Sequence, residues 1–339
     1  MKKLVVIFLL LLRAVTSHAQ LFWYETKTDV AEEEKKMNLN RQKIVDNHIT
    51  SAKIYSYKSV AEEQANVGYL SFEYTYDNRG NFTEYKSYKR NGKLKYHNTY
   101  EYDNNNRELS FTDWRANGKM LYRYTTSYDS SGNMTDQRSF WKNPDVANWH
   151  SIARYDEHQN LVEVKYLIKK DSKYFGRYVY TYYPDGSKKQ TIEYNRRDKI
   201  KHIWNFDCKP EGISEEQHLK DTSRICIRYE TDSAGNKIKI KEENQKVGKV
   251  ARTISRYNKD NYLLDEVTYD SKERPRNHYH YSYDAKNNLT EFINYKKNST
   301  EIKERVVYNY DASGNMIEEL VFKKLSTPDH TLKFTYAKN

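Results

Sequence analysis

The chain has 339 residues and a formal net charge of +11, and its Leu, Ile, Val and Phe together number 66, just under a fifth of the total. That is close to the range of chains too poor in apolar surface to fold, but 33 tyrosines argue the other way, because each ring buries a large area while keeping a polar tip. The composition excludes a transmembrane helical bundle, a collagen-like chain and, with only two cysteines, a disulfide-dense miniprotein.

In chain order, residues 1–19 read as a signal peptide. Lys2 and Lys3 form a basic start, Leu4 to Leu12 an apolar run, and Ser17-His18-Ala19 a small-residue cleavage site. The run is too short to span a bilayer, and no Cys follows it that would anchor a lipoprotein. The expectation is a soluble exported protein, periplasmic, cell-surface or secreted, without a membrane span. Loss of Lys2, Lys3 and Arg13 with the leader leaves a net charge of +8. Residues 20–66 are expected to form an N-terminal cap or tail, with a charged helix over 31–45, Asp29 as its N-cap, and a first strand over 49–57.

From residue 67 onward the chain repeats itself. Residues 74–81 read YTYDNRGN, 100–107 YEYDNNNR, 126–133 TSYDSSGN, 153–160 ARYDEHQN, 281–288 YSYDAKNN and 308–315 YNYDASGN, with weaker copies between. The mean period is about 26 residues, which makes about ten units. Within a unit, Leu70, Phe72, Tyr74 and Tyr76 alternate with Ser71, Glu73, Thr75 and Asp77, the period-two signature of a strand with one apolar face. Asp caps the turn that follows, and Gly supplies the left-handed conformation of a bulged hairpin. The turn-capping positions are Asp77, Gly80, Asp103, Asp129, Gly132, Asp156, Asp232, Gly235, Asp284, Asp311 and Gly314. Asn91-Gly92 and Asn117-Gly118 close tight hairpins at the other end of their units. The fold expected is all-β: antiparallel hairpin repeats forming a long coiled or solenoid-like sheet of about twenty strands, its tyrosines stacked as ladders, behind a short helix-and-strand cap.

The recurrent Y-x-Y-D-x-x-G-N resembles the YD repeat of the RHS family, most of all the exported, repeat-only type found in Bacteroidetes-like bacteria, over residues 67–339. In large members of that family the repeats build a shell around a toxin. This chain is much shorter, has a somewhat longer period and carries no cargo domain after its last repeat, so the resemblance implies the architecture and not a toxin.

Few residues carry chemistry. Cys208 and Cys226 are read as a disulfide pair across an irregular hairpin. His278 and His280 share a strand face, but no third ligand accompanies them, and no metal or cofactor is expected. Turn capping accounts for the recurrent Asp better than calcium does. Glu84, Glu163, Glu291 and Glu318 recur after the turns and read as a surface ladder with Lys, because an active site is not repeated in every unit. Trp114, Trp141, Trp149 and Trp204 are candidate binding residues. No enzyme is expected. The function expected is a non-catalytic exported repeat protein with a binding or scaffold role at the cell surface or in the periplasm, toward a protein or glycan partner and not toward nucleic acid. The alternative is a structural shell, or an exported immunity-type protein associated with a toxin system.

Overall fold

The computed structural model describes residues 27–168, 173–206, 222–245, 250–323 and 326–339; the leader assigned to 1–19 and Cys208 lie outside them. Helix α1 (Lys27–Asp46) leads into β1 (Ile49–Tyr57), the short α2 (Val60–Gln64) follows, and twenty more strands run from β2 (Tyr69–Tyr76) to β21 (His330–Lys338). All but one of the pairings between these strands are antiparallel, so the all-β hairpin repeat expected from the sequence is what forms. The first strand occupies its expected bounds, and the helix starts four residues earlier than expected.

Each hairpin follows from its turn. Between β2 and β3 (Phe82–Tyr88), Asp77 N donates to Asn81 O at 2.9 Å and Gly80 N to Asp77 O at 3.0 Å. This five-residue turn places an extra residue on one strand, and the register slips between Thr75 and Tyr76. The same pattern serves the opposite ends of the strands: Lys89 N donates to Lys93 O and Gly92 N to Lys89 O, both at 2.8 Å. Asn91-Gly92 therefore closes its hairpin from the third and fourth turn positions, where Asn91 Oδ1 also accepts from Lys93 N.

Consecutive strands pair from β1 to β21, and β21 pairs in turn with β1, so the coiled sheet meets itself and neither end strand presents a bare edge. A ring of antiparallel pairs needs an even number of strands, and the described residues form 21. The single parallel pairing, between β12 (Ile200–Phe206) and β13 (Thr222–Thr231), removes the conflict. Cys226 lies on β13, so the irregular hairpin expected between the cysteines is replaced by two strands running the same way. Hairpin turns alternate between two rims of the ring. One holds the Asp turns and α1; the other holds the turns that begin at Lys89, Arg115, Asn195, Asp270 and Lys296, together with α2.

Seven tyrosines each join a strand to the hairpin before it. Each lies at the Asp-rim end of its strand and sends its hydroxyl to the carbonyl of the first strand residue after the preceding turn of that rim. Tyr102 donates to Phe82 O, Tyr128 to Glu108 O and Tyr155 to Met134 O, each at 2.9 Å. Tyr182, Tyr283, Tyr310 and Tyr336 repeat the bond to Leu161, Leu263, Leu289 and Met316 at 2.7 to 3.0 Å. Phe206 and Thr231 hold this place at the ends of β12 and β13, and neither carries a phenol; the one parallel pairing lies between them.

The apolar core is a row of rings on one face of the sheet. Tyr74, Phe82, Tyr100, Phe111 and Tyr124 follow one another at centroid separations of 5.4, 4.9, 5.2 and 5.3 Å. Near the seam, Ala52 and Ile54 of β1, each 1% exposed, pack between Tyr74 and the Leu332 and Phe334 side chains of β21. Full burial of a side chain the size of Ile54 stabilises by about 1.5–3 kcal/mol, so the cap strand is a structural closure and not a loose tail.

Gly80 distinguishes the two rims. Both Gly80 and Gly92 have φ of +76°, but a Cβ on Gly80 would lie 2.5 Å from the Arg41 carbonyl of α1, and one on Gly92 would meet nothing within 4 Å. Gly92→Ala is expected to cost about 1–2 kcal/mol through backbone strain alone. Gly80→Ala should cost clearly more, because α1 must move off the rim. Equal losses of stability in urea titration would contradict this account of how the helix docks.

Candidate functional site

The turn aspartates are fully engaged. Asp311 Oδ1 accepts from Asn315 N at 2.8 Å and Oδ2 from Asn315 Nδ2 at 2.9 Å, and Asp129, Asp156, Asp232 and Asp284 repeat the arrangement with Asn133, Asn160, Asn236 and Asn288. Asp77 binds Arg79 N as well as Asn81, and Asp103 binds Asn105 N and the Arg107 backbone and guanidinium. Burial pushes the Asp311 carboxyl up, but bonds from the Asn315 side chain and from the Asn315 and Ser313 amides outweigh it and hold the group below its ordinary value. Gly80, Gly132, Gly235 and Gly314 all take positive φ, and Asn106, Gln159 and Asn287 take it in the equivalent places of other units. A cavity of about 390 Å³ between the Asp284 and Asp311 turns is lined by these same engaged groups. Lys43 of α1 donates to Asn288 Oδ1 at 2.7 Å beside it.

The remaining polar candidates are also paired. Cys226 is disulfide-bonded, while Cys208 lies outside the described residues. His278 and His280 both turn toward Asp265, at 3.5 and 3.0 Å. Among the described residues, no group of three or more His, Cys, Asp or Glu side chains could hold a metal ion. Glu84 meets Lys86 and His97, Glu163 meets Arg177 at 3.0 Å, Glu291 meets Arg305 at 2.5 Å, and Glu318 accepts from Asn309 at 2.7 Å. Arginine and histidine thus share with lysine the ladder that these carboxylates form.

The four tryptophans do not form one cluster. Trp114 lies on the charged face, half-buried, with its Nε1 donating to Thr99 Oγ1 at 2.9 Å and its ring against His97. Trp204 is buried against Tyr178 and His202. Trp141 and Trp149 share the aromatic face near the rim opposite the Asp turns. Trp141 is 56% exposed and meets Tyr122 edge-on at 6.2 Å, and Trp149 lies 5.1 Å from Phe175, itself 49% exposed. Tyr96, at 51%, is exposed on the same face and toward the same rim. Phe175 and Tyr96 are additions to the sequence-based candidates. Their signal is position: each lies within a few residues of a strand end on the rim opposite the Asp turns.

Two carboxyls are embedded in the aromatic face. Glu108 accepts from the Tyr124 hydroxyl, and burial pushes its pKa up to about 8 against the pull of that bond. Glu319 is pushed up to about 7, first by burial and then by the negative field of Glu304. Repetition hides both residues, since each occupies a place that aromatic or aliphatic side chains take in other units.

No protein-family model matches the chain, and no curated protein matches it in sequence. Among solved structures it is similar to a chain of the Photorhabdus luminescens Tc holotoxin pore, at 12% identity and a TM-score of 0.30, over 75% of this chain and 16% of that one. It is also similar to a porin-like protein from Bacteroides uniformis, at 10% identity and a TM-score of 0.31, over 86% of this chain and 97% of that one. A porin-like protein from Bacteroides vulgatus gives 13% identity and a TM-score of 0.27, over 87% and 100%. The chain thus spans less than a fifth of the toxin chain's length, and TM-scores this low carry no argument about function.

The embedded carboxyls set a pH dependence. A carboxyl whose folded pKa lies above its unfolded value favours folding in its protonated form, so that contribution fades as pH rises from about 4.5 toward 8. The turn aspartates act in the opposite sense and lose their contribution below their unfolded value of 3.8. Melting temperature should therefore fall between pH 5 and pH 9. Glu108→Gln, which keeps an acceptor for Tyr124 and removes the charge, should flatten that fall; an unchanged profile would show that Glu108 does not titrate in this range.

Proposed function

We propose that this chain is a non-catalytic, exported repeat protein that acts as a binding scaffold at the cell surface or in the periplasm, with a glycan or protein as its partner. The observation that carries the reading is the exposure of Tyr96, Trp141 and Phe175 together on one face of a sheet most of whose other rings pack closely. Solvent-exposed aromatic rings on a rigid strand platform offer flat apolar surfaces for sugar rings or for anchor residues of a partner. Most of the groups that could perform acid–base chemistry are held in turn caps and ion pairs, Glu108 and Glu319 are embedded among the rings, and the strand ladder positions the rings without a moving part. The repeat motif, with its resemblance to exported YD repeats, supports the compartment and the scaffold role.

A glycan array and a pull-down with the full chain test the reading. A bound glycan or protein should lose at least tenfold in affinity in Trp141→Ala and Phe175→Ala, with the melting temperature unchanged because both rings are half exposed. Binding that ignores both substitutions would contradict the proposal, as would the absence of any partner.

A further inference from the structure

The two rims of the ring differ in charge. Nine described turns form the Asp rim, beginning at residues 77, 103, 129, 156, 183, 232, 258, 284 and 311, and over five residues each they sum to −6. On the other rim, the turns 89–93, 115–119, 142–146, 195–199, 270–274 and 296–301 sum to +8. Most of that excess lies on one arc, in Lys89-Arg90-Asn91-Gly92-Lys93, Arg115-Ala116-Asn117-Gly118-Lys119 and Asn195-Arg196-Arg197-Asp198-Lys199. Lys93, Arg115, Lys119, Arg196 and Arg197 are exposed, and none makes an ion pair among the described residues. Tyr96, Trp141 and Phe175 open onto this same arc.

We propose that this basic, aromatic arc binds an acidic polysaccharide, a proposal that rests on the scaffold reading above and names its partner. Three features select that class. The 89–93 and 115–119 turns are two strands apart, about 10 Å, and carry three and two positive charges, and the 195–199 turn, six strands further along the rim, carries three. A polymer with one carboxylate per sugar ring has a comparable charge spacing, whereas duplex nucleic acid places a charge every ~1.7 Å and would leave most of its phosphates unmatched. The tips of these turns are charged or polar except for Ala116, so no apolar side chain leads into a bilayer. The exposed rings lie behind the tips, on the strands, where a chain lying along the rim can stack its sugars on them while its carboxylates face the turns.

The test uses polygalacturonate as the probe, with its methyl-esterified form, anionic phospholipid vesicles and single-stranded DNA in parallel. The full chain should bind polygalacturonate, prefer it to the ester, and weaken as salt rises. The triple variant Lys93→Glu/Arg115→Glu/Arg197→Glu and the single variant Trp141→Ala should each lose at least tenfold, and Lys259→Glu on the Asp rim almost nothing, all with unchanged melting temperatures. Failure to bind polygalacturonate would overturn the proposal, as would an equal loss in Lys259→Glu or binding to vesicles or DNA that is tighter than to the polysaccharide. If that failure came with a partner that still depends on Trp141 and Phe175, the scaffold reading would survive and only the acidic-polysaccharide assignment would fall.

Discussion

The hydroxyl of the tyrosine at the Asp-rim end of a strand is the interaction on which this structure depends. A hairpin of seven- to ten-residue strands is marginal in water by itself, and a stack of hairpins needs something to fix each one against the next. Backbone pairing supplies attraction but little choice of register. The phenol adds choice, because it reaches one particular carbonyl, that of the first strand residue after the preceding turn, as in Tyr310 to Leu289 and Tyr336 to Met316. The ring body is buried by the same geometry, so a single side chain contributes both apolar area and a directional bond. That is how a chain with so little Leu, Ile, Val and Phe builds a core.

The turn aspartate completes the unit. It holds the loop with bonds to backbone amides, and it accepts from the side-chain amide of an asparagine that is buried beneath the turn, as Asn81 and Asn160 are. Its carboxylate is consequently occupied, which is why a row of aspartates along a rim is an acidic edge of the scaffold and not a row of cation sites. Among the described opposite turns the Asp cap recurs at Asp270, which holds the Lys272 and Arg274 amides, and elsewhere on that rim the sequence collects lysine and arginine. A mechanical asymmetry between the two ends of a repeat thus becomes an electrostatic asymmetry between the two rims.

Most of the architecture is legible from residues alone. Period two along Leu70 to Tyr76 places the strands, Asp77-Asn78-Arg79-Gly80 places the turn, and the 26-residue spacing places the units. The self-meeting of the sheet is not legible, because it depends on β1 pairing with both β2 and β21, contacts between chain positions almost three hundred residues apart. The parallel β12–β13 pairing is hidden because the repeat pattern implies a hairpin there, although Phe206 and Thr231 in the tyrosine position mark the place. Among the tryptophans the sequence supplies the residue type but not the face: Trp114 and Trp141 lie on opposite sides of the sheet, set by register slips at the ends of their strands.

Amide hydrogen exchange in Tyr155→Phe tests the central claim most directly. Tyr155 ends β8 (Ala147–Tyr155) and bonds Met134 O at the start of β7 (Met134–Trp141). Loss of about 1 kcal/mol should speed exchange roughly fivefold in β7 and β8 and leave the strands around Tyr310 at their original rates. Unchanged rates in β7 and β8, or an equal acceleration throughout the sheet, would contradict the account of the phenol as the local link between neighbouring hairpins.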